Sequence, residues 1–372
     1  MCVTRRTSSY SLFKVPKQFM NYKNLNIQRI ETEFNKQITE GYHRTASLSI
    51  SAQNKIIYEI NSTPKTIKKP LFPIMSISKP LVAAVLWRYY AKGFFEWDDP
   101  IIKFWPEYGN NGKDRTSIKN VLTHTAGVPN HESLPLRDYA DWGRIIEWIE
   151  GLVPEYPPGQ MIQYHALTFG WIVAELASRI SGLSFEHSFI REVSEPLNLN
   201  DTNFIIPLPQ QKRLLPLNVS DDFEDPLLPK NMSAIHKNLV IMPAASAVST
   251  SNDICKFFSI IANKGKYKHN SWLPQKVISE ITTTKAEGLE HSGYYYKLGL
   301  GLMLNSGINN KFSAPQHCQT VGHGGLGISS AWADLDCGIA MAYITTTCQP
   351  EEMKNHLHRT MSSVVRSSVE YE

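Results

Sequence analysis

The chain has 372 residues, 42% hydrophobic and 19% charged, with a formal net charge of +4. That is enough apolar material for two domains or one large core, and the sparse, scattered basic charge gives nucleic-acid binding no support. Five cysteines (Cys2, Cys255, Cys318, Cys337 and Cys348) are odd in number and lack Cys-x-x-Cys spacing, which argues against a disulfide framework or zinc ribbon and favours reduced thiols in a cytoplasmic protein.

Residues 1–23 read as a loosely held arm, without the apolar run of a signal peptide or a membrane span. Residues 24–40 have helical spacing through Leu25, Ile27, Ile30, Phe34 and Ile38. Residues 46–52 alternate as a half-buried strand does, with residues 55–60 as the hairpin partner across Gln53 and Asn54. Next comes the segment from Pro73 to Pro80 and an apolar run ending at Lys92 and Gly93, which form a helix stop. Pro80 lacks an N–H and is tolerated only in a first turn, so this helix begins just before it and has Ser76 at its N-terminus.

Residues 97–112 are turn-rich. Helices are predicted for 118–123, 138–152, 166–180 and 185–197, then an irregular proline-rich stretch over 205–243. A helix over 251–264 precedes strand-like segments at 296–304, 319–322, 329–334 and 338–346, and a last helix covers 351–367. Strands near both ends with helices between them predict an α+β fold, an antiparallel sheet flanked by helices with an inserted all-helical domain. The sheet domain takes residues 24–95 and 240–372. The helical domain takes 96–239, with an irregular loop over 205–239.

Ser-x-x-Lys occurs at Ser11 and Lys14, Ser62 and Lys65, and Ser76 and Lys79, but only the third opens a long apolar helix. Residues three apart share a helix face, and a buried ammonium beside a hydroxyl at a helix N-terminus can make serine nucleophilic near neutral pH. Tyr164, at the end of a loop before an apolar helix, is the second proton handler, and a nearby ammonium would push it toward phenolate. Glycines in the run from Val321 to Gly327 mark close approach of a backbone to a ligand. There His323 and Gly325 point to one side and Gly324 to the other, so that substrate could lie along the strand edge at Gly325. His124 and His165 read as structural, and Trp171, Trp332 and residues 294–296 as core or cleft wall.

Ser76-Ile77-Ser78-Lys79-Pro80, the segment from Asn120 to Pro129, the segment from Tyr164 to Trp171, the segment from Glu195 to Thr202 and Gly322-His323-Gly324-Gly325 occur in one order. In that order the chain resembles the serine β-lactamase-like family: class C β-lactamases, DD-peptidases and related carboxylesterases. The resemblance spans about residues 25–348 and implies the same α+β fold. It implies Ser76 as the acylated nucleophile, Lys79 as its proton partner and Tyr164 as general base and later acid. The backbone N–H groups of Ser76 and Leu326 would form the oxyanion hole beside the strand of His323, Gly324 and Gly325. Two departures stand out. The tyrosine motif reads Tyr164-His165-Ala166 where the family usually ends in asparagine, and His323 stands where β-lactamases carry lysine. Both favour a less polar acyl substrate and the carboxylesterase branch.

The expected activity is hydrolysis of small carboxylic esters through an acyl-serine intermediate. The same residues would serve an acyltransferase. A β-lactamase or DD-peptidase fits less well with the departures and the absent export signal. A catalytically idle binding protein would keep a costly buried lysine for nothing. No Gly-x-Ser-x-Gly is present. His356 and His358 read as a solvated pair, since Thr360 and Met361 stand where a zinc motif would place Asp and His. No metal, cofactor, nucleic acid or membrane is expected, only a small ester or amide substrate.

Overall fold

The computed structural model describes residues 22–128, 136–308, 312–316 and 318–371. Most of the expected N-terminal arm, and Cys2, lie outside the described residues. The strand Tyr22–Leu25 pairs antiparallel with Val369–Tyr371, and α1 (Ile27–Thr39) follows, capped by the Asn26 side chain.

Eight antiparallel strands form the main sheet. In chain order they are β1 (Ala46–Ala52), β2 (Lys55–Ser62), β3 (Ala286–Leu289), β4 (Tyr295–Leu298), β5 (Met303–Leu304), β6 (Thr320–Gly325), β7 (Ser329–Asp334) and β8 (Ile339–Thr345). Across the sheet the order is β2-β1-β8-β7-β6-β5-β4-β3, so the two ends of the chain meet where β1 pairs with β8. The expected strand over 296–304 is two strands with a tight turn, because Gly301 (φ +81°) packs against Ala83, where a Cβ would lie 2.5 Å away.

The period-2 alternation of side chains gives the sheet two unlike faces. Ala331, Ala333, Ala340, Ala342 and Ile344 belong to one core, with the helix Ser251–Ala262 over them. These small residues let that helix approach closely. Trp332, Ile339, Met341 and Tyr343 belong to the opposite core with Phe34 of α1 and Met361 and Val365 of the last helix (Glu351–Ser368). Arg366 ties this layer to β7, donating to Asp334 at 2.7 Å while its guanidinium lies 3.9 Å from the centre of the Trp332 ring.

Helix α2 (Ser78–Ala91) follows a 3₁₀ turn, Met75–Ile77, and has Pro80 in its first turn. It stops as its sequence predicts, since Gly93 adopts φ +77°, a left-handed conformation that favours glycine. The Lys92 ammonium donates to both oxygens of Glu192, at 2.6 and 2.7 Å. Helix α3 (Thr168–Ser181) packs on α2 beside Ile118–Leu122 and Trp142–Gly151. Core packing is continuous from α2 through α3 to the helix Ser251–Ala262 and the sheet, so apolar contact runs through the boundary proposed near residue 96.

The stretch expected to be irregular holds a 3₁₀ helix, Leu208–Arg213, and a ten-residue helix, α4 (Leu228–Lys237). Pro229 falls in the first turn of α4, where its missing N–H costs nothing, and Met232, Ile235 and His236 form a narrow buried stripe. Prolines and sparse apolar residues hid that stripe from a sequence reading. Among the described residues, no helix is long and apolar enough to cross a membrane.

Candidate active site

In the run from Leu71 to Trp87 every residue is buried except Ser76, which is partly exposed. Met75 adopts φ +47°, a costly conformation for a side-chain-bearing residue, and the kink turns the next residue, Ser76, outward. The kink is clamped. Ser78 Oγ donates to Met75 O at 2.5 Å, Ser329 Oγ donates to Ile74 O at 2.8 Å, and Ile74 N donates to Ala247 O at 3.0 Å.

Lys79 is fully buried, and its Nζ donates to Ser76 Oγ at 3.2 Å and to Ala244 O at 3.4 Å. No salt bridge to Lys79 occurs among the described residues. Burial disfavours its charged form and lowers its pKa from 10.5 to about 7. Tyr164 and Ser76 line the same cleft, and the Lys79 ammonium lies 4.7 Å from the Tyr164 ring centre. Burial holds this phenol well above its usual range and outweighs the opposing effect of Ser76. The expected drift of Tyr164 toward phenolate is therefore corrected: desolvation dominates, and the phenol keeps its proton at neutral pH.

The backbone around Tyr164 is stapled on both sides. Gln163 N donates to His124 O at 3.0 Å, and His165 N donates to His124 Nδ1 at 3.0 Å. His124 itself has φ +56°, and its ring packs against those of Tyr164 (4.7 Å) and Phe169 (5.0 Å). Burial first, then His165, Lys79 and His323, keep His124 neutral. His165 Nε2 accepts from Val128 N at 3.3 Å. Both histidines thus shape the loop that presents Tyr164, as expected.

Glu290 was not anticipated. It lies in the hairpin between β3 and β4, where its carboxylate accepts from Tyr164 N at 2.6 Å and from Ser292 Oγ at 2.7 Å. A single acidic residue in a turn, 126 positions from its partner, leaves no local signal of that contact.

Ser76 and Tyr164 open into a cleft of about 540 Å³. Tyr294, Tyr296 and Phe312 give it an aromatic wall, and Gly324, Gly325, Leu326 and Gly327 form the opposite edge. Leu326 adopts φ +40° and Gly327 φ +73°, which makes a tight turn at the end of β6. Gly325 lines the cleft and has a second purpose besides the expected one. A Cβ there would lie 2.3 Å from Ile74 O and 2.3 Å from Ser329 Oγ, so its bareness lets β6 dock on the kink before Ser76. Gly324 meets only Ser329 O at 3.6 Å and is the one with open space. His323 is buried and does not line the cleft; its ring lies 6.3 Å from that of Tyr164.

His358 is a further correction. His356 is exposed, but His358 is buried, donates from Nε2 to Gly327 O at 3.1 Å and packs 5.2 Å from the Tyr343 ring. The amphipathic last helix turns residue 358 inward. Among the described residues, no group of three or more His, Cys, Asp or Glu could hold a metal ion. The four described cysteines are free thiols, and three of them are buried.

The Beta-lactamase family model matches residues 28–365. An esterase/β-lactamase, LipL, from Mycobacterium tuberculosis is 25% identical over 298 residues, 73% of this chain and 68% of its own. A penicillin-binding protein homologue from Caulobacter crescentus superposes with a TM-score of 0.81 at 20% identity, covering 92% of this chain and 97% of its own. A family VIII carboxylesterase gives a TM-score of 0.78 at 20% identity, over 90% and 97% of the two chains. These two structures share the fold: an antiparallel sheet with helices on both faces. On the extent of the family match, the chain belongs to the beta-lactamase family and is a serine hydrolase of it.

Proposed function

We propose that the protein hydrolyses small carboxylic esters through an acyl-enzyme on Ser76. The observation that carries this reading is the buried amine of Lys79, without an ion-pair partner among the described residues and 3.2 Å from Ser76 Oγ, which belongs to the one partly exposed residue of the run 71–87. An amine with a pKa of about 7 is substantially unprotonated at neutral pH and can accept the serine proton.

As Ser76 Oγ bonds to the ester carbon, its proton passes to Lys79 Nζ. The N–H groups of Ser76 and Leu326 receive the developing oxyanion. Tyr164 donates its phenolic proton to the departing alkoxide. The phenolate then takes a proton from water, which attacks the acyl group, and the Lys79 ammonium returns its proton to Ser76 as the acid leaves. Glu290 anchors the Tyr164 backbone during both halves. The aromatic wall and the histidine at position 323, set back from the cleft, suit an uncharged acyl group. The esterase activity named for the Mycobacterium relative supports the same substrate class.

Hydrolysis of a nitrophenyl ester of a short acid tests this. The expected result is a burst of nitrophenol followed by slower turnover, abolished in Ser76→Ala and indifferent to chelator. Full activity in Ser76→Ala would overturn the reading.

A further inference from the structure

A second cavity, about 440 Å³, lies between α4 and the segment 206–217, and it shares no lining residue with the cleft at Ser76. Small-molecule sites typically span about 300–1,000 Å³, with apolar walls and a few placed polar groups. Here the walls are Ile206, Leu214, Leu215, Leu217 and Met232. The polar lining comes from Gln211, Ser233 and His236 and from two cations, Lys230 and Lys237, with no acidic residue. Lys230 and Lys237 are exposed, so their ammonium groups remain solvated and available at the rim.

Apolar walls with two cations at the rim and no acidic residue describe the complement of an amphiphilic anion. We infer that this cavity binds a medium-chain aliphatic carboxylate, its tail against the leucines and Met232 and its head group met by the two lysines. The site adjoins the nucleophile's support. His236 Nε2 donates to Ser246 O at 3.0 Å, and Pro73, another lining residue, pairs with Val248. The segment 244–248 to which both are tied supplies Ala244 O to Lys79 and Ala247 N to Ser78 Oγ. The inference does not depend on the chemistry at Ser76.

The test is photolabelling of the full chain with a diazirine-bearing analogue of decanoate, followed by peptide mapping. The expected result is saturable labelling within residues 206–217 or 228–237, displaced by decanoate but not by decyltrimethylammonium. The double variant Lys230→Glu/Lys237→Glu changes only exposed side chains and should reduce labelling about tenfold, the effect of roughly 1.4 kcal/mol of lost binding. Leu217→Trp fills the cavity and should abolish labelling. Labelling confined to residues 290–296 or 351–359 would overturn the inference. So would no saturable labelling, equal displacement by the cationic amphiphile, or labelling unchanged in the lysine variant.

Discussion

Lys79 combines a structural cost with a chemical use. Its full burial penalises the ammonium form, and the same penalty makes the amine available as a base near neutrality. Because the folded-state pKa lies below the unfolded value, the unfolded chain binds a proton between about pH 7 and 10.5 that the folded chain does not. Lysine 79 therefore destabilises the fold most below pH 7, and the penalty fades as pH rises through that window. Lys79→Met should lose about 10²–10⁴-fold in turnover, yet raise stability at pH 6 by on the order of 1–4 kcal/mol; ester hydrolysis and thermal melts check the pair. In the wild type, kcat/KM should climb with pH to a plateau with a midpoint near about 7. A midpoint that stays put in Lys79→Met would assign it elsewhere. Tyr164→Phe keeps the ring packing on His124 but removes the hydroxyl, so it should lose most turnover with little change in melting. That Ser76, Lys79 and Tyr164 lie together was legible because two of them are chemically odd for their places: a lysine inside an apolar helix, and a tyrosine where a loop meets one.

Elements are legible to the degree that their periodicity is clean. β1, β7 and the helix Glu351–Ser368 stand within a residue of the sequence reading, because alternation or helical spacing runs uninterrupted through them. By contrast α4 hid behind Pro229, β3 escaped because it is only four residues long with a glycine inside, and the helix Gln275–Thr282 because it is short and mostly polar. Register across strands is also invisible in one dimension, which is why the docking of Gly325 on the Met75 kink went unread. The two glycines make a controlled comparison. Gly325→Ala forces a Cβ to within 2.3 Å of Ile74 O and should destabilise the protein by about 1–3 kcal/mol and misplace Ser76. Gly324→Ala has room and should leave the denaturation midpoint within about 0.5 kcal/mol of wild type. Equal destabilisation by the two would contradict the docking role given to Gly325.

On the scale of the whole molecule, the layer of terminal helices closes the back of the site. His43 and His358 are buried there with ring centres 6.3 Å apart, next to Tyr343. Burial, and then the neighbouring His358, lower the pKa of His43 from 6.5 to about 3; burial lowers that of His358 to about 4. Below pH 6.5 the unfolded chain takes up protons that the folded chain refuses, so stability falls as pH drops toward those values. Among the described residues neither ring nitrogen of His43 has a partner, so His43→Leu removes a liability without orphaning one. It should recover about 2 kcal/mol at pH 5 relative to wild type and almost nothing at pH 8, read from denaturant melts at both. The sequence reading left His358 in solvent because a two-residue offset on an amphipathic helix decides inside from outside. It did identify the fold, since strands at both ends of a chain with helices between them leave few sheets to build.

The most direct measurement is the mass of the protein quenched during turnover of a nitrophenyl ester, with peptide mapping of the adduct. The account predicts one acyl group, on the peptide bearing Ser76, accumulating in wild type and absent from Ser76→Ala. An acyl group on another residue, or sustained turnover in Ser76→Ala with no adduct, would contradict it.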